Sequence, residues 1–304
     1  MKNNIAGIFL IFFTLQIGSC LAQKNKPSSV ALISDTQAPM WVEKLFLKSN
    51  HNEEATTKLF EQIVNLKPVS LFILGDVTSW SAKEKKWRTM DNYLQQCRSS
   101  GIPVHALLGN HDVMGSVKKG ESNFRKRFPD AVTTGYYQIV DSMAFVMLNS
   151  NFKKMKWNNI DFQQKWYEET LTSLDKDRSV KAIVISCHHA PYTNSKVVGA
   201  NKEVQDRFVP RFLSTTKCRL FITGHCHAFE HFRVADKDFL VIGGGGGIHQ
   251  PLSKEHSDLQ ADFKPPFHFL SLTLIPSHLL VDSYPLNSDF TGIGKERILD
   301  LKVD

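Results

Sequence analysis

The sequence is poor in cysteine and lacks a glycine-rich nucleotide fingerprint. Only five of its 304 residues are cysteine, and no two of them form a CxxC pair, so a zinc knuckle or a dithiol redox motif is disfavoured. The five glycines at 243–247 do not complete the G-x-G-x-x-G pattern, which argues against a dinucleotide-dependent oxidoreductase. The glycine run is instead expected to allow close backbone packing beside a functional site. The cysteines beyond residue 20 are expected to be buried free thiols: Cys97, Cys187, Cys218 and Cys226.

The charged residues give no nucleic-acid-binding signature. The chain has 37 Lys and Arg against 30 Asp and Glu, which gives a formal net charge of +7 and favours anionic ligands or surfaces in general. The basic residues are scattered, however, and the short clusters at 83–86 and 125–127 are interpreted as solvated helix faces.

The N-terminus has the pattern of an export signal. Lys2 precedes an apolar stretch at 5–15, which is too short to span a bilayer and is typical of a signal-peptide core. Small residues then precede Cys20, as in bacterial lipoproteins. We therefore expect a signal peptide over 1–19, lipidation of Cys20, a tether over 20–29, and a location in the cell envelope. The alternatives are cleavage after Ala22, which would give a secreted protein, and an uncleaved anchor.

Apolar runs rich in β-branched residues alternate with helical patterns, which predicts an α/β fold with a mainly parallel sheet. The strand-rich tail from about residue 218 suggests a second sheet packed on the first. No repeat or linker divides the chain, so we expect a single domain over 30–304. Strands are predicted at 30–34, 70–75, 103–108, 144–148, 181–186, 218–223, 238–242, 267–274 and 278–284, and helices at 53–66 (with Asn52 as N-cap), 81–98, 160–174 and 202–214.

Side chains that can bind a metal follow five of these runs directly. Because ligands bind at the carboxyl ends of strands in α/β sheets, we expect these side chains to converge. The set consists of oxygen and imidazole donors, which suits Zn, Mn or Fe better than a soft-metal site. Its members are Asp35, Asp76, Asn110-His111-Asp112, His188-His189, and His225 with His227.

The order and spacing of these residues resemble the calcineurin-like metallophosphoesterase family over about residues 30–250. The resemblance implies a two-sheet β-sandwich flanked by helices, a four-layer α/β/β/α fold. It also implies two metal ions, with Mn, Zn or Fe favoured and Mg or Ca as alternatives. The resemblance implies that Asp76 bridges the two ions. It also implies that one ion is held by Asp35 and His227, and the other by Asn110, His189 and His225.

The resemblance further implies that His111 sits by the substrate phosphate and protonates the leaving group, while Asp112 orients His111. A bound pair of metals lowers the pKa of water from 15.7 to roughly 7 and so provides hydroxide at neutral pH. The family pattern His-x-Pro favours His189 over His188 as the ligand, which leaves His188 as a histidine packed beside the site. Tyr192 and His249 are predicted to line the substrate pocket with Asn110 and His111.

Two positions depart from the family pattern. Gln37 stands where the first motif has a histidine, and its amide oxygen would coordinate more weakly or serve only as a hydrogen-bonding neighbour. Ser79 stands where the purple acid phosphatase branch has a tyrosine, so tyrosinate–iron colour is not expected. The stretch His189-Ala190-Pro191-Tyr192-Thr193-Asn194-Ser195 is similar to that branch, and the chain is interpreted as related to it but outside it.

The predicted function is hydrolysis of a phosphate ester by a metal-bridged hydroxide, with a phosphomonoester favoured. One alternative is a phosphodiesterase that acts on nucleotides or lipid head groups. Another is a non-catalytic surface lipoprotein that binds a phosphorylated ligand. The expected partners are a phosphorylated small molecule or lipid and, through a lipid anchor rather than a transmembrane helix, the membrane.

Overall fold

Twelve strands and six α-helices make up the computed structural model over residues 27–303, the part of the chain that the structure describes. The predicted signal peptide, Cys20 and most of the tether lie outside the described residues. The strands are β1 (Ser29–Ile33), β2 (Ser70–Ile73), β3 (Val104–Ala106), β4 (Tyr136–Val140), β5 (Met143–Met147), β6 (Ala182–Ser186), β7 (Cys218–Thr223), β8 (Phe229–Val234), β9 (Lys237–Ile242), β10 (His268–Ile275), β11 (His278–Pro285) and β12 (Glu296–Lys302). The helices are α1 (Asn52–Leu66), α2 (Arg88–Ser99), α3 (Val117–Arg127), α4 (Trp157–Lys176), α5 (Lys202–Arg207) and α6 (Val209–Ser214).

The strands form two six-stranded sheets. The first has the order β12-β11-β10-β1-β2-β3, and the second has the order β4-β5-β6-β7-β9-β8. Each sheet is mixed: β1, β2 and β3 run parallel, as do β5, β6, β7 and β9, whereas the outer strands pair antiparallel. The prediction that the tail from residue 218 forms a separate second sheet is wrong, because β10–β12 extend the first sheet and β7, β8 and β9 join β4, β5 and β6 in the second.

The two sheets pack face to face through apolar side chains. Phe72 of β2 stacks on Phe145 of β5, with ring centroids 4.4 Å apart. Strand β5 shows the alternation expected of a covered strand: Phe145 belongs to the core between the sheets, whereas Val146 belongs to a second apolar cluster with Tyr167 of α4. With helices flanking the sheets, the predicted four-layer sandwich is confirmed.

Nine of the twelve strands match predicted runs, but several elements differ from the prediction. The unpredicted elements are β4, β8, β12 and α3. Helix α1 begins at Asn52 itself, and the residue before it, His51, has a left-handed backbone. The Asn52 side chain does not cap the helix but donates from Nδ2 to the carbonyls of Gly246 and Gly247. The segment 202–214 is two short helices rather than one.

The four cysteines in the described residues are buried and unpaired, as predicted. Within residues 27–303, no helix combines the length and the apolar character that a membrane span requires.

Candidate metal centre

Two buried aspartates lie where β1 and β2 end. Asp35 and Asp76 are 0% and 1% exposed, and both have positive φ, 57° and 48°. A non-glycine residue in this region of backbone space is uncommon and is typical of functional sites. The two turns are joined because the Asp35 amide donates to the carbonyl of Gly75 at 3.1 Å. The strand ends therefore hold both carboxylates in one place.

One candidate ligand group surrounds Asp76. Its carboxylate, His188 and His225 each offer one ligand atom, and these atoms lie within 4.8 Å of one another. His188 Nε2 is 3.2 Å from Asp76 Oδ2 and 3.1 Å from Asn110 Oδ1. Burial alone would raise the pKa of Asp76, but the neighbouring His188 and His111 hold it well below its usual range.

A second candidate group surrounds Asp35. His227 Nε2 is 3.4 Å from Asp35 Oδ1 and 3.2 Å from the Gln37 amide. The orientation of that amide is fixed by its neighbours: its nitrogen donates to the backbone carbonyls of Asp35 and Asp76, and its oxygen faces His227 Nε2. Gln37 therefore presents its amide oxygen to the His227 ring as a hydrogen-bonding neighbour, and coordination of a metal by this oxygen stays a prediction.

The two groups adjoin, since His188 Nε2 is 4.0 Å from Asp35 Oδ1. Carboxylate oxygens, amide oxygens and imidazole nitrogens are all present, with no thiolate among them. This donor set fits a pair of Zn, Mn or Fe ions.

The structure places His188, rather than the predicted His189, in the ligand group. The His188 ring donates from Nδ1 to the carbonyl of Leu74 at 3.0 Å, which leaves Nε2 free to face Asp76 and Asn110. A ring that donates to a backbone carbonyl and ligates through its other nitrogen is the usual arrangement at metal sites. Burial alone would lower the pKa of His188, but the Asp76 carboxylate raises it to about 9.

His189 lies one step further out. Its Nδ1 is 2.8 Å from the Ser150 hydroxyl, and its ring packs against that of His225 at 4.5 Å. Burial and the neighbouring His188 lower the pKa of His189 to about 3. His189 is therefore held by Ser150 and packs on the His225 ring, and a ligand role for His189 stays a prediction.

His225 and His227 lie in the connection between β7 and β8. His225 has a φ of 67°, and its amide donates to both oxygens of Asp35, at 3.1 and 3.0 Å. His227 donates from Nδ1 to the carbonyl of Ile248 at 2.9 Å. The two rings reach different groups, His225 toward Asp76 and His227 toward Asp35.

His111 is buried beside the ligand groups. Its amide donates to Asp76 Oδ1 at 2.8 Å, its Nδ1 is 3.2 Å from the carbonyl of Ser79, and its Nε2 is 3.7 Å from Asp76 Oδ2. The ring is thus oriented by Ser79, the residue that replaces the tyrosine of the purple acid phosphatases.

Asp112 supports this loop rather than the His111 ring itself. Its carboxylate accepts from the Ser81 hydroxyl at 2.8 Å and from the amides of Gly109 and Val77 at 2.9 and 3.3 Å. Burial and the charge of Asp76 raise the pKa of Asp112 to about 6. Among the described residues, none of its hydrogen bonds reaches the His111 ring, so it holds the turns after β2 and β3 together.

A model of the calcineurin-like phosphoesterase family matches residues 28–229. The chain belongs to this family. It is therefore a metallophosphoesterase, and the prediction of a phosphoric ester hydrolase is confirmed. No curated protein matches the sequence of this phosphoesterase.

Solved structures share the fold at low sequence identity. A purple acid phosphatase from yellow lupin is 17% identical with a TM-score of 0.66, over 88% of this chain and 53% of the lupin chain. The phosphoesterase thus spans about half the length of the plant enzyme. The Plasmodium inner membrane complex anchor GAP50 is 12% identical with a TM-score of 0.63, over 92% of this chain and 89% of that one. A dimetal phosphatase from Danio rerio is 14% identical with a TM-score of 0.57, over 91% and 99%.

The two remaining predicted pocket residues of the phosphoesterase have different surroundings. Tyr192 packs edge-on against Phe239 at 5.0 Å and also contacts Phe232, so its ring belongs to the outer apolar cluster rather than to the ligand groups. His249 is exposed, and it lines a cavity of about 390 Å³ that Lys48 also lines. A substrate contact remains a prediction for His249 and is not favoured for Tyr192.

Glycines permit the close approach of the site's turns. A Cβ on Gly109 would lie 2.1 Å from Asp76 Oδ1, and one on Gly224 would lie 2.3 Å from Asp35 Oδ2. The predicted role of the glycine run at 243–247 is also confirmed, since a Cβ on Gly247 would lie 2.5 Å from the His227 ring.

Proposed function

We propose that this phosphoesterase hydrolyses a phosphomonoester with two metal ions, one held by Asp35, Gln37 and His227 and the other by Asn110, His188 and His225, with Asp76 between them. The observation that carries the proposal is the pair of adjoining buried donor groups, 4.0 Å apart at His188 Nε2 and Asp35 Oδ1. When bound, such ions act as Lewis acids toward the phosphate and lower the pKa of water.

The chain itself supplies a proton donor. His111 donates from Nδ1 to Ser79 and directs Nε2 toward the Asp76 side of the site. In its cationic form Nε2 carries a second proton, which we infer passes to the leaving-group oxygen. Asp112 keeps the loop of His111 in register with the turn of Asp76 through its contacts with Gly109 and Val77.

A phosphomonoester is favoured over a diester because the segment after β6 resembles that of acid phosphatases. The lupin neighbour is itself a purple acid phosphatase, and the zebrafish neighbour is a dimetal phosphatase. Mn, Zn or Fe is the favoured metal because imidazole and carboxylate donors are combined.

The test is hydrolysis of p-nitrophenyl phosphate and bis-p-nitrophenyl phosphate after chelation and re-addition of Mn, Zn, Fe, Mg or Ca. We expect activity to return with metal and to be greater on the monoester. Activity that survives complete chelation, or faster turnover of the diester, would contradict the proposal.

We expect His111→Ala to reduce turnover of an alkyl phosphate by about 100-fold or more, the usual contribution of a general acid. The same variant should lose much less activity on p-nitrophenyl phosphate, because nitrophenolate leaves without protonation. Initial rates on the two substrates measure the difference. Equal losses on both would indicate that His111 acts on the phosphate and not as a proton donor.

A binding protein without catalysis is the second candidate. The GAP50 neighbour, described as an anchor, shows that this fold also occurs in a protein with an anchoring role. Tight binding of two ions with no turnover of either ester would favour this candidate for the present chain.

We also propose that the protein is an exported lipoprotein of the cell envelope. The support is the signal-like pattern that ends at Cys20, together with a turn of exposed apolar side chains after the first ligand turn: Trp41, Leu45 and Phe46 are 77%, 65% and 82% exposed. Aromatic and aliphatic side chains of this kind suit a membrane interface.

We expect Cys20→Ser to move the protein from the membrane fraction to the soluble fraction, because one lipidated residue provides the attachment. Fractionation of cells that produce each form, with mass spectrometry of the mature N-terminus, measures this. A soluble wild-type protein that begins after Ala22 would instead establish secretion.

A further inference from the structure

A large groove lies on the surface beside α3. It has a volume of about 940 Å³ and runs between α3 on one side and residues 154–159 on the other. Thr133, Thr134 and Asn149 also line it. The groove is large enough to hold a substrate group the size of a nucleotide or a sugar phosphate.

The groove is strongly basic. Lys118, Arg125 and Lys126 of α3, and Lys154 and Lys156 of the opposite wall, line it with a single carboxylate, Glu121. Arg125 pairs with Glu121 at 2.9 Å, and Lys126 lies 3.5 Å from Glu84.

Three of these lysines have no acidic partner. Lys118, Lys154 and Lys156 are exposed, and no carboxylate in residues 27–303 lies within 4.0 Å of their Nζ atoms. They stand on opposite walls, so an anion in the groove could contact both sides.

Both walls contact loops that carry residues of the candidate site. On one side, α3 packs back on the loop of His111, because a Cβ on Gly120 would lie 2.1 Å from the carbonyl oxygen of Asp112. On the other side, Ser150 binds His189, and Asn151 donates from Nδ2 to the carbonyl of Leu108 at 3.0 Å. Both walls are therefore one residue contact away from the loops that carry His111 and His189.

We propose that this groove binds the leaving-group part of the substrate, and that this part carries a second phosphate. The substrate is then a bisphosphorylated small molecule, and the product alcohol keeps one phosphate. This inference rests on the proposed function, since it extends the same site. The unpaired lysines provide the second phosphate with contacts that a monophosphate would not use.

The test compares straight-chain diol bisphosphates of increasing length with the monophosphates of the same alcohols, using the full-length chain with its metals restored. Phosphate release gives KM and kcat for each pair. We expect one range of chain lengths to lower KM by about tenfold relative to the monophosphate, with the advantage decreasing as salt is added.

A triple variant of the groove should remove this tenfold advantage and leave KM and kcat for the monophosphates unchanged. It carries Lys118→Gln, Lys154→Gln and Lys156→Gln together. The matched control is Lys165→Gln, Lys176→Gln, Lys181→Gln, which removes the same charge from exposed lysines outside the groove and should keep the advantage. Equal KM values for both ester types in the wild type, or an equal loss in the control, would overturn the proposal.

Failure of the proposed function is distinguishable from failure of this inference. If neither ester type is hydrolysed, calorimetric titration of the same bisphosphates and monophosphates into wild type and the groove variant decides the groove on its own. Tighter binding of the bisphosphate to the wild type alone supports the groove, and equal binding refutes it.

Discussion

Asp76→Asn is expected to abolish tight binding of at least one metal ion and to lower kcat/KM by about a thousandfold. The replacement has the same shape, so its amide oxygen can still accept from the His111 amide, as Oδ1 does now. The other position then carries an NH2 group, which faces His188 Nε2 where Oδ2 lies at 3.2 Å and cannot ligate. Loss of several kcal/mol of charge stabilisation corresponds to a rate loss of this size, since each 1.36 kcal/mol is tenfold.

The measurement is metal content after dialysis, by elemental analysis, together with p-nitrophenyl phosphate kinetics. Asp238→Asn is the matched control, because Asp238 is also a buried aspartate bound to a histidine, with His231 Nε2 at 2.7 Å. It lies outside the candidate ligand groups, so its variant should lose stability but keep both ions and its turnover per folded molecule. Full metal content and activity in Asp76→Asn would refute the proposed bridging role.

Most of the fold could be predicted from the chain because its central strands are continuous apolar runs. Strands β1, β2, β6 and β7 are covered by other elements, and each is followed by a polar turn that ends it. That pattern is local, so the convergence of the turns at one edge could be anticipated. The candidate ligand residues Asp35, Asp76 and His227 can be predicted in this way.

The missed elements lack a clear apolar pattern of their own. Strand β8 contains Glu230 and His231, whose polar side chains are typical of a surface. In the structure, Glu230 accepts from Thr193 and Asn194, and His231 binds Asp238. Strand β4 exposes Tyr137 and Ile139, so it lacks the polar alternation of a strand with one solvated face. Helix α3 has few apolar residues and begins with a short cap in which Ser116 accepts from the amide of Lys119.

The choice between His188 and His189 as the candidate ligand depends on a contact that is distant in sequence. Both follow β6 directly, and adjacent residues in extended backbone point in opposite directions. His188 reaches the ligand group because its ring binds the carbonyl of Leu74, at the end of β2 in the other sheet. No pattern within the segment around His189-Ala190-Pro191 contains that contact, so only the packing of the two sheets decides it.

The second large effect is a contrast between these two neighbours: His188→Ala should lower kcat/KM about a thousandfold, and His189→Ala only about tenfold. Removal of His188 takes a ligand from the group of Asp76 and Asn110 and leaves one carboxylate without its partner. Removal of His189 leaves the donor set complete and loosens only the His225 ring, and neighbours of metal ligands typically contribute 10–100-fold. Kinetics with added metal, alongside metal titration, measure both.

Proton release separates a ligand from a structural histidine in the same experiment. Because the pKa of His188 is raised to about 9 in the metal-free protein, this ring is protonated at pH 7 and must release its proton when an ion binds. His189, with its pKa lowered to about 3, is already neutral and has none to release. Calorimetric metal titrations at pH 7, in buffers of different ionisation enthalpy, should therefore show one proton fewer released by His188→Ala than by wild type, and no change in His189→Ala. Equal proton release by His188→Ala and wild type would contradict the assignment of His188 as a ligand.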